Sequence, residues 1–393
     1  MNNNKTAYIC GYYNFPRGSA SANYVQYLAL SLKAIGYKVV LITNINPEEI
    51  RSFRKKYADI TVEGYSIKDK RIAHFLDFNF GMGSHVKKIL KHYEIKENDL
   101  LISYSSDCFI NRVILEMAKK YNAISIACVV ELFESSDFEN GKKSVRFWNY
   151  WLAHNVVISR YNLIFPISTF IEKFYKEKGC NVCRIPIMAD PYEYQFVEKE
   201  ESLKKKYVYP ANGKIKDAFD GMLGGLQYLS DEELNRIELH ICGVKKEQVI
   251  GLLPRNVLKY IGTSIVIHGW MKYDELIALY RRMDFLLLAR ETTQMTVANF
   301  PSKVPEVMSY GVIPVVSRVG DYTELYLKDG INSLIFDGSG SVECANAIKR
   351  SLELNEEDLK MLSKNAFQCA VDSFYYMNWT NIIEKAIQSS RIE

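Results

Sequence analysis

Lys303 and Glu306 stand about one helical turn apart in the segment 300–330, FPSKVPEVMSYGVIPVVSRVGDYTELYLKDG. Ser302 is a good N-cap residue, and the pattern predicts a helix that begins after it and ends at Gly311. The N–H groups at a helix N-terminus and the ammonium of Lys303 can bind a phosphate, and Glu306 can accept hydrogen bonds from a ribose diol. Phosphate and ribose together indicate a nucleotide. The alternative is an ordinary buried helix–strand unit with a solvated Lys and Glu.

Glu131 is a second residue that could do chemistry, because it follows the apolar run 124–130. In α/β proteins, ligands bind in the crevice at the carboxyl ends of the strands. This position makes Glu131 a candidate acid or base. Alternatively, it belongs to an acidic surface loop together with Glu134, Asp137 and Glu139.

The segment 142–155, KKSVRFWNYWLAHN, mixes basic side chains with aromatic rings. Such a segment can rest on an anionic membrane surface, line a groove for an acceptor, or form a core helix with solvated lysines. Residues 1–190 carry a net charge of +8, and the remainder carries −4, so the two halves are expected to meet different partners. Nucleic acid is not expected, because the basic residues are scattered and no recognition module appears.

The composition is that of a soluble globular protein, and 393 residues predict two domains. No signal peptide is expected, because no apolar segment follows the first residues. No membrane span is expected either, because no apolar run reaches roughly 18 residues. The eight cysteines suit reduced thiols in a cytoplasm. Cys180 and Cys183 form a single C-x-x-C pair without a second pair to complete a zinc site, and we interpret them as incidental.

Apolar runs of strand type alternate with helix-type periodicity in both halves, which predicts parallel sheets built from βαβ units. The charged segment 193–206 reads as a linker between the halves. The first loop, residues 14–20, lacks the pattern G-x-G-x-x-G, so a dinucleotide oxidoreductase is not favoured. It still ends in small residues at a helix N-terminus, where a phosphate or a sugar can approach the backbone.

Taken together, these motifs resemble the GT-B glycosyltransferases, specifically the retaining family 4 (glycosyl transferases group 1). Lys216 with Asp217 resembles the pyrophosphate-binding lysine segment of that family, and residues 14–20 resemble its first glycine loop. The end of its first domain is matched by Ile167, Ser168, Ile185, Pro186 and Asp190. Its donor-site signature is similar to the ordered set Pro301, Ser302, Lys303, Glu306, Met308, Gly311, Pro314, Val315, Val316, Gly320, Glu324, Asp329 and Gly330.

The resemblance implies an α/β fold of the GT-B type, with two Rossmann-like, doubly wound domains facing a central cleft. Residues 1–190 would form the acceptor-side domain, and a C-terminal helix, residues 376–393, would cross back to it. Residues 191–375 would form the domain that binds the nucleotide sugar.

The family's site residues carry over to matching positions here. Lys216 and Lys303 would hold the diphosphate in place of a metal, and Gly269 and Trp270 would meet the nucleobase. No cofactor and no metal are expected, since the nucleotide-diphosphate sugar is the substrate. The full set of implied donor-binding residues is Gly18, Lys214, Lys216, Gly269, Trp270, Asn299, Phe300, Ser302, Lys303 and Glu306.

Two positions depart from the family pattern. Ala298 stands eight residues before Glu306, where the family often has a second Glu, although the backbone at Asn299 and Phe300 could still touch the sugar. Glu131 stands where many relatives have a His, and it is the candidate catalytic residue.

The function expected from the resemblance is transfer of a sugar, with retention and without a metal, to a glycan or lipid-linked acceptor. Synthesis of bacterial surface polysaccharide or glycoconjugate is the expected setting, in the cytoplasm and at the inner face of the membrane. The alternatives are a non-catalytic nucleotide-sugar-binding relative or subunit, and a sugar-nucleotide epimerase or a phosphorylase of the same fold.

Overall fold

The computed structural model describes residues 5–13, 15, 19–45, 59–193, 196, 198–199, 202–213 and 215–391. Gly18 and Lys214, two of the sequence-predicted site residues, lie outside the described residues. The chain divides into two compact units, one formed by Met1–Met188 with Tyr376–Glu393 and the other by Ala189–Tyr375. The boundaries predicted from the sequence lie after residues 190 and 375.

The first unit is built on a six-stranded parallel sheet in the order β3-β2-β1-β4-β5-β6. Its central strands are almost wholly apolar and buried, as a parallel sheet covered by helices on both faces requires. The strands are β1 (Thr6–Gly11), β2 (Lys38–Thr43), β3 (Ile60–Gly64), β4 (Leu100–Tyr104), β5 (Ile124–Val129) and β6 (Leu163–Pro166).

Helices connect these strands, and most of them begin at a side chain that caps the first turn. Ser19 accepts a hydrogen bond from the backbone N–H of Ala22, and Asp107 accepts one from that of Ile110. Two turns of π-helix, Asp77–Gly81 and Ala153–Val157, extend the helical segments. The helices are α1 (Ala20–Ala34), α2 (Arg71–Leu76), α3 (Met82–Leu90), α4 (Cys108–Tyr121), α5 (Val145–Leu152) and α6 (Thr169–Lys176).

The second unit repeats the architecture with a six-stranded parallel sheet in the order β12-β11-β10-β7-β8-β9. Its strands are β7 (Lys205–Pro210), β8 (Ile237–Cys242), β9 (Ile265–Gly269), β10 (Phe285–Leu288), β11 (Ile313–Ser317) and β12 (Leu334–Phe336). Its helices are α7 (Phe219–Gly225), α8 (Asp231–Asn235), α9 (Lys246–Leu252), α10 (Tyr273–Tyr280), α11 (Gln294–Ala298), α12 (Lys303–Met308), α13 (Ser341–Leu352) and α14 (Glu356–Cys369). The prediction of two Rossmann-like parallel α/β domains is therefore confirmed.

The last helix, α15 (Tyr376–Ser389), belongs to the first unit and packs on α1. The hydroxyl of Ser31 donates to the backbone carbonyl of Tyr376, with an Oγ–O distance of 3.3 Å. Ile383 and Ile387 are buried on the inner face of α15. The apolar stripe of this helix is therefore part of the core of the first unit.

We expect Ile383→Ala to lower the free energy of unfolding by about 2–5 kcal/mol, because truncating a buried side chain leaves a cavity. Ile382 is the matched control, because it precedes Ile383 on the same helix and is 43% exposed. Ile382→Ala should cost less than about 1 kcal/mol. Urea unfolding of both variants measures the difference, and equal losses would contradict the packing of α15 described here.

Candidate functional site

Several charged and polar side chains meet at the carboxyl edge of the second sheet. Asp217 lies in the loop after β7, Arg290 lies two residues beyond β10, and Lys303 opens α12. The backbone N–H of Ala218 donates to the carbonyl of Ala289 at 2.8 Å and ties the first two loops together. Parallel strands end at the same edge of a sheet, so residues far apart in sequence converge there.

The carboxylate of Asp217 is the centre of this cluster, and its side chain is only 5% exposed. Its Oδ1 accepts a hydrogen bond from Nε of Arg290 at 3.0 Å. Its Oδ2 accepts one from the hydroxyl of Tyr209 at 2.8 Å and lies 3.4 Å from Nζ of Lys303. Both carboxylate oxygens are therefore matched by donors, which a buried charge needs.

The electrostatics of the cluster leave a surplus of positive charge. Burial alone would raise the pKa of Asp217, but the charges of Lys303 and Arg290 outweigh burial and lower it. Burial lowers the pKa of Lys303, and repulsion from Arg290 and Lys216 acts in the same direction against the attraction of Asp217. Two cations, Lys303 and Arg290, thus share one carboxylate, and Lys216 also acts on Lys303. Such a site favours an incoming anion, which would relieve the repulsion among the cations.

Arg290 also positions Asn299, one of the sequence-predicted donor residues. Its Nη1 donates to Oδ1 of Asn299 at 3.0 Å, so the amide oxygen is already engaged. The backbone of Arg290 is held by Ser317, whose hydroxyl accepts from the N–H of Arg290 at 2.7 Å and donates to its carbonyl at 3.0 Å. The side chain of Arg290 is 4% exposed. The loop before α12 is therefore fixed through a buried arginine.

Glu306, on α12, is held by a tyrosine from another helix. The hydroxyl of Tyr273, the first residue of α10, donates to Oε1 of Glu306 at 2.8 Å. Tyr280, also on α10, is fully buried, and burial together with the nearby Glu306 raises its pKa well above the ordinary value. The carboxylate is thus oriented by α10 while it stays partly accessible to solvent.

Gly269 and Trp270 lie where β9 ends. Gly269 has a φ of +65°, which a residue with a Cβ rarely adopts, and no atom lies within 4 Å of the place that a Cβ would occupy. The side chain of Trp270 is 79% exposed. An exposed indole beside open backbone can stack on a planar ring.

Two predicted donor residues, Phe300 and Ser302, lie just before α12. Ser302 stands at the predicted position directly before the helix, but its backbone is already helical, with φ −58° and ψ −21°, and its side chain makes no capping hydrogen bond. The helix that follows has six residues, and the charge of Lys303 therefore matters more here than the helix dipole. The side chain of Phe300 is buried against Tyr326 and Phe374, which leaves only its backbone for a ligand.

Glu131 belongs to the first unit, whereas the predicted donor residues described above belong to the second unit. It lines a cavity of about 470 Å³ at the carboxyl ends of β4 and β5. The wall of this cavity combines aromatic rings with hydroxyl, amide and charged groups, among them Tyr104, Asp107, Arg146 and Asn149. This composition suits a ligand with both ring faces and hydroxyl groups.

Sequence reasoning missed Arg290, Tyr209 and Tyr273. Arg290 directly follows the apolar run 285–289, as Glu131 follows the run 124–130. Both positions are at the carboxyl end of a predicted strand, where α/β proteins bind ligands. The two tyrosines carry no such local signal. Across the part of the chain that the structure describes, no group of three or more His, Cys, Asp and Glu side chains could hold a metal ion.

We expect Arg290→Met to lower the free energy of unfolding by about 3–5 kcal/mol, because it leaves the buried carboxylate of Asp217 short of a partner. Arg318→Met is the matched control. Arg318 pairs with Asp337 at 2.8 Å, but the two side chains are 45% and 82% exposed, so its loss should cost at most about 1 kcal/mol.

The loss of stability caused by Arg290→Met should also depend on pH. The pKa of Asp217 is lowered in the folded protein, so its pairing stabilises the fold above the ordinary value of 3.8 and is lost as the pH falls through the lowered pKa. The cost of Arg290→Met should therefore shrink as the pH falls below 3.8. Denaturant unfolding over a pH series measures this, and equal costs for both variants would contradict a buried, charged Asp217.

Comparison with known proteins relates part of the chain to a family. Residues 193–368 match the family described as Glycosyl transferases group 1. No curated protein matches the sequence. Among solved structures, HepE of Anabaena in complex with UDP has a TM-score of 0.70 and 13% identity, covering 98% of this chain and 100% of that chain.

Two further structures have the same fold. Sucrose-phosphate synthase of Thermosynechococcus elongatus has a TM-score of 0.73 and 12% identity, covering 98% of each chain. A TarM variant of S. aureus in complex with fondaparinux, alpha-GlcNAc-glycerol and UDP has a TM-score of 0.70 and 8% identity, covering 99% of this chain and 100% of that chain. The chain therefore has the fold of the GT-B glycosyltransferases, and residues 193–368 of its second unit match the glycosyl transferases group 1 family.

Proposed function

We propose that the second unit binds a nucleoside diphosphate sugar at the edge of its sheet and that the protein transfers the sugar to an acceptor hydroxyl. The observation that carries this proposal is the pairing of Arg290 and Lys303 with the single buried carboxylate of Asp217, with Lys216 near enough to repel Lys303. A diphosphate supplies the negative charge that such a cluster lacks. Lys216 and Lys303 would contact the diphosphate oxygens, while Arg290 stays engaged with Asp217 and Asn299.

The nucleoside would lie between Glu306 and Trp270. Tyr273 orients the carboxylate of Glu306, and a carboxylate can accept hydrogen bonds from the two hydroxyls of a ribose. Trp270 offers an exposed ring on which a base can stack. HepE, which shares the fold, was solved in complexes with UDP and with UDP-glucose. A uridine diphosphate sugar is therefore the first donor to test.

The proposed reaction breaks the bond between the anomeric carbon of the sugar and an oxygen of the diphosphate. The acceptor oxygen forms the new bond on the face from which the diphosphate leaves, so the anomeric configuration is retained. The acceptor proton passes to the departing phosphate oxygen. The contribution of the protein is electrostatic, because fixed cations stabilise the charge that develops on the leaving group.

We propose that lysines take the part that a metal ion plays in other nucleotide-sugar sites. Lys303 supports this, because burial and neighbouring cations lower its pKa, and an arriving diphosphate would raise that pKa again. Lys303 is held 3.4 Å from Asp217, which limits the freedom of its ammonium. The transfer is then expected to proceed without added divalent cations.

The acceptor that we propose is a glycan or a lipid-linked glycan used in bacterial surface polysaccharide or glycoconjugate synthesis. The cavity in the first unit, with Glu131 and its aromatic wall, is the proposed acceptor site. The TarM variant, which has the same fold, was solved with alpha-GlcNAc-glycerol and UDP. We place the protein in the cytoplasm, at the inner face of the membrane.

A second candidate is a relative that binds the nucleotide sugar without turnover. Ala298 favours it, since this residue is fully buried and offers no carboxylate for the hydroxyls of the donor sugar.

We propose that Asn299 contacts the donor sugar in place of the missing carboxylate. Its amide oxygen is engaged by Arg290, and its amide nitrogen can then donate to the sugar.

Glu306→Ala should abolish binding of UDP and UDP-glucose. At a ligand concentration about 100 times Kd, binding should stabilise the wild-type protein by about 2.7 kcal/mol. Thermal unfolding with and without nucleotide measures the stabilisation. For each protein, the unfolding midpoint with nucleotide is compared with the midpoint of the same protein without it. Glu353→Ala, which removes an exposed carboxylate of the same unit, is the control and should keep the full shift. A shift that survives Glu306→Ala would refute the proposed donor site.

Turnover should proceed with retention and without a metal. With UDP-glucose as donor, NMR of the product should show the same anomeric configuration as the donor, and EDTA should leave the initial rate unchanged. Slow hydrolysis of the donor alone already distinguishes this proposal from a binding protein without activity. An inverted product, or a rate that EDTA removes and a divalent cation restores, would contradict the mechanism.

A further inference from the structure

Two neighbouring segments of the first unit expose an unusual number of large apolar side chains. Residues 68–80 contain α2 and the π-helical turn after it, and residues 142–152 contain α5. We call these two segments the docking face. Its exposed apolar side chains, between 39% and 77% accessible, are Ile72, Phe75, Leu76, Phe80, Val145, Trp148, Trp151 and Leu152. Clusters of exposed apolar side chains mark surfaces that bind a partner or a membrane.

The core of the unit does not need these side chains. No residue of α2 is buried, although Ile72, Phe75 and Leu76 share one face of that helix. On α5 the inward side chains are Phe147 and Tyr150, and they already supply the packing against the core. The exposed side chains are therefore surplus to the fold.

The two segments are joined into one surface. Nδ2 of Asn149, on α5, donates to the backbone carbonyl of Asn79 at 2.8 Å. The guanidinium of Arg146 lies over the ring of Phe78, 4.6 Å from its centroid. The rings of Trp148 and Trp151 lie edge to face, with centroids 5.8 Å apart. The contacts of Asn149 and Arg146 hold α5 beside the turn that extends α2.

The docking face is also cationic. Its six basic side chains are all exposed, namely Lys68, Lys70, Arg71, Lys142, Lys143 and Arg146. It carries two acidic residues, and one of them, Asp77, is buried and paired with His85 at 2.9 Å. A second copy of the chain would bring like charges together on this surface. Tryptophan, aliphatic side chains and lysines together match the headgroup region of an anionic membrane.

We propose that the docking face binds the surface of an anionic lipid membrane. No helix within the described ranges is long and apolar enough to span a bilayer, so the contact would be peripheral. Phe78, Asn79, Arg146 and Asn149 belong to the docking face and also line the cavity proposed for the acceptor. A membrane on this face would lie next to that cavity. This inference rests on the proposed location at the inner membrane, and it identifies the side chains that make the contact.

Flotation with vesicles tests the apolar part of the proposal. The full chain should bind vesicles of phosphatidylcholine with phosphatidylglycerol and should not bind vesicles of phosphatidylcholine alone. Phe75→Gln and Trp148→Gln should each lower the partition coefficient by about tenfold, because an apolar ring no longer enters the headgroup region. Phe170→Gln is the matched control, since Phe170 is an exposed phenylalanine elsewhere in the same unit, and it should bind as the wild type does.

The charge of the face is tested with two pairs of adjacent exposed lysines. Replacing Lys142 and Lys143 with glutamine should weaken binding to the anionic vesicles and reduce its dependence on salt. The same replacement at Lys119 and Lys120, which are also exposed, should change neither. Each variant should keep the thermal shift that UDP produces, so a loss of membrane binding is distinguished from a failure of the donor site or of the fold.

Three outcomes would overturn the proposal. Wild-type protein that binds neither kind of vesicle, or both equally, would exclude recognition of an anionic surface. Control variants that lose as much as the docking-face variants would place the contact elsewhere. Reversible self-association that Phe75→Gln removes, without vesicle binding, would assign the face to a second copy of the chain.

Discussion

The buried carboxylate of Asp217 is the constraint on which the site of the second unit depends. A charge with so little exposure requires partners, and it finds them in Arg290, Lys303 and Tyr209. Those partners come from three separate segments of the chain, so one carboxylate ties the loop after β7 to the loop after β10 and to α12. The same carboxylate offsets only part of the positive charge that it gathers. Organisation of the loops and preference for an anion therefore have a common origin.

The arrangement of the sheet determines which side chains can join this network. All strands of the second unit run parallel, and their carboxyl ends bring the loops after β7, β9 and β10 to one edge. Ser317, at the end of β11, fixes the backbone of Arg290, and Arg290 fixes Asn299. The loop after β10 and the loop before α12 are thus positioned in sequence, the first by Ser317 and the second by Arg290. Such support keeps charged groups in place before a ligand arrives, as electrostatic stabilisation of a leaving group requires.

The sequence predicts the fold well because the signals for it are local. Apolar runs and helical periodicity mark the strands and helices, and Gly36 and Gly311 have the positive φ angles expected just after a helix. The site is predicted less completely because its decisive contacts are not local. Arg290 and Asp217 are 73 residues apart, and no periodicity reports that they pair. Ser302 shows the opposite error, since a residue type that suits an N-cap has a helical backbone and caps nothing. Lys303 and Glu306 are predicted from their local spacing and from the family resemblance, whereas the groups that hold them required the structure.

We propose that the second unit holds the donor nucleotide, with the diphosphate at the Asp217 cluster. The most direct test is an experimental structure of the protein with UDP bound. The account predicts diphosphate oxygens within hydrogen-bonding distance of Lys216 and Lys303, and ribose hydroxyls on Glu306. A nucleotide bound elsewhere, for example in the cavity beside Glu131, with the Asp217 cluster left empty, would contradict it.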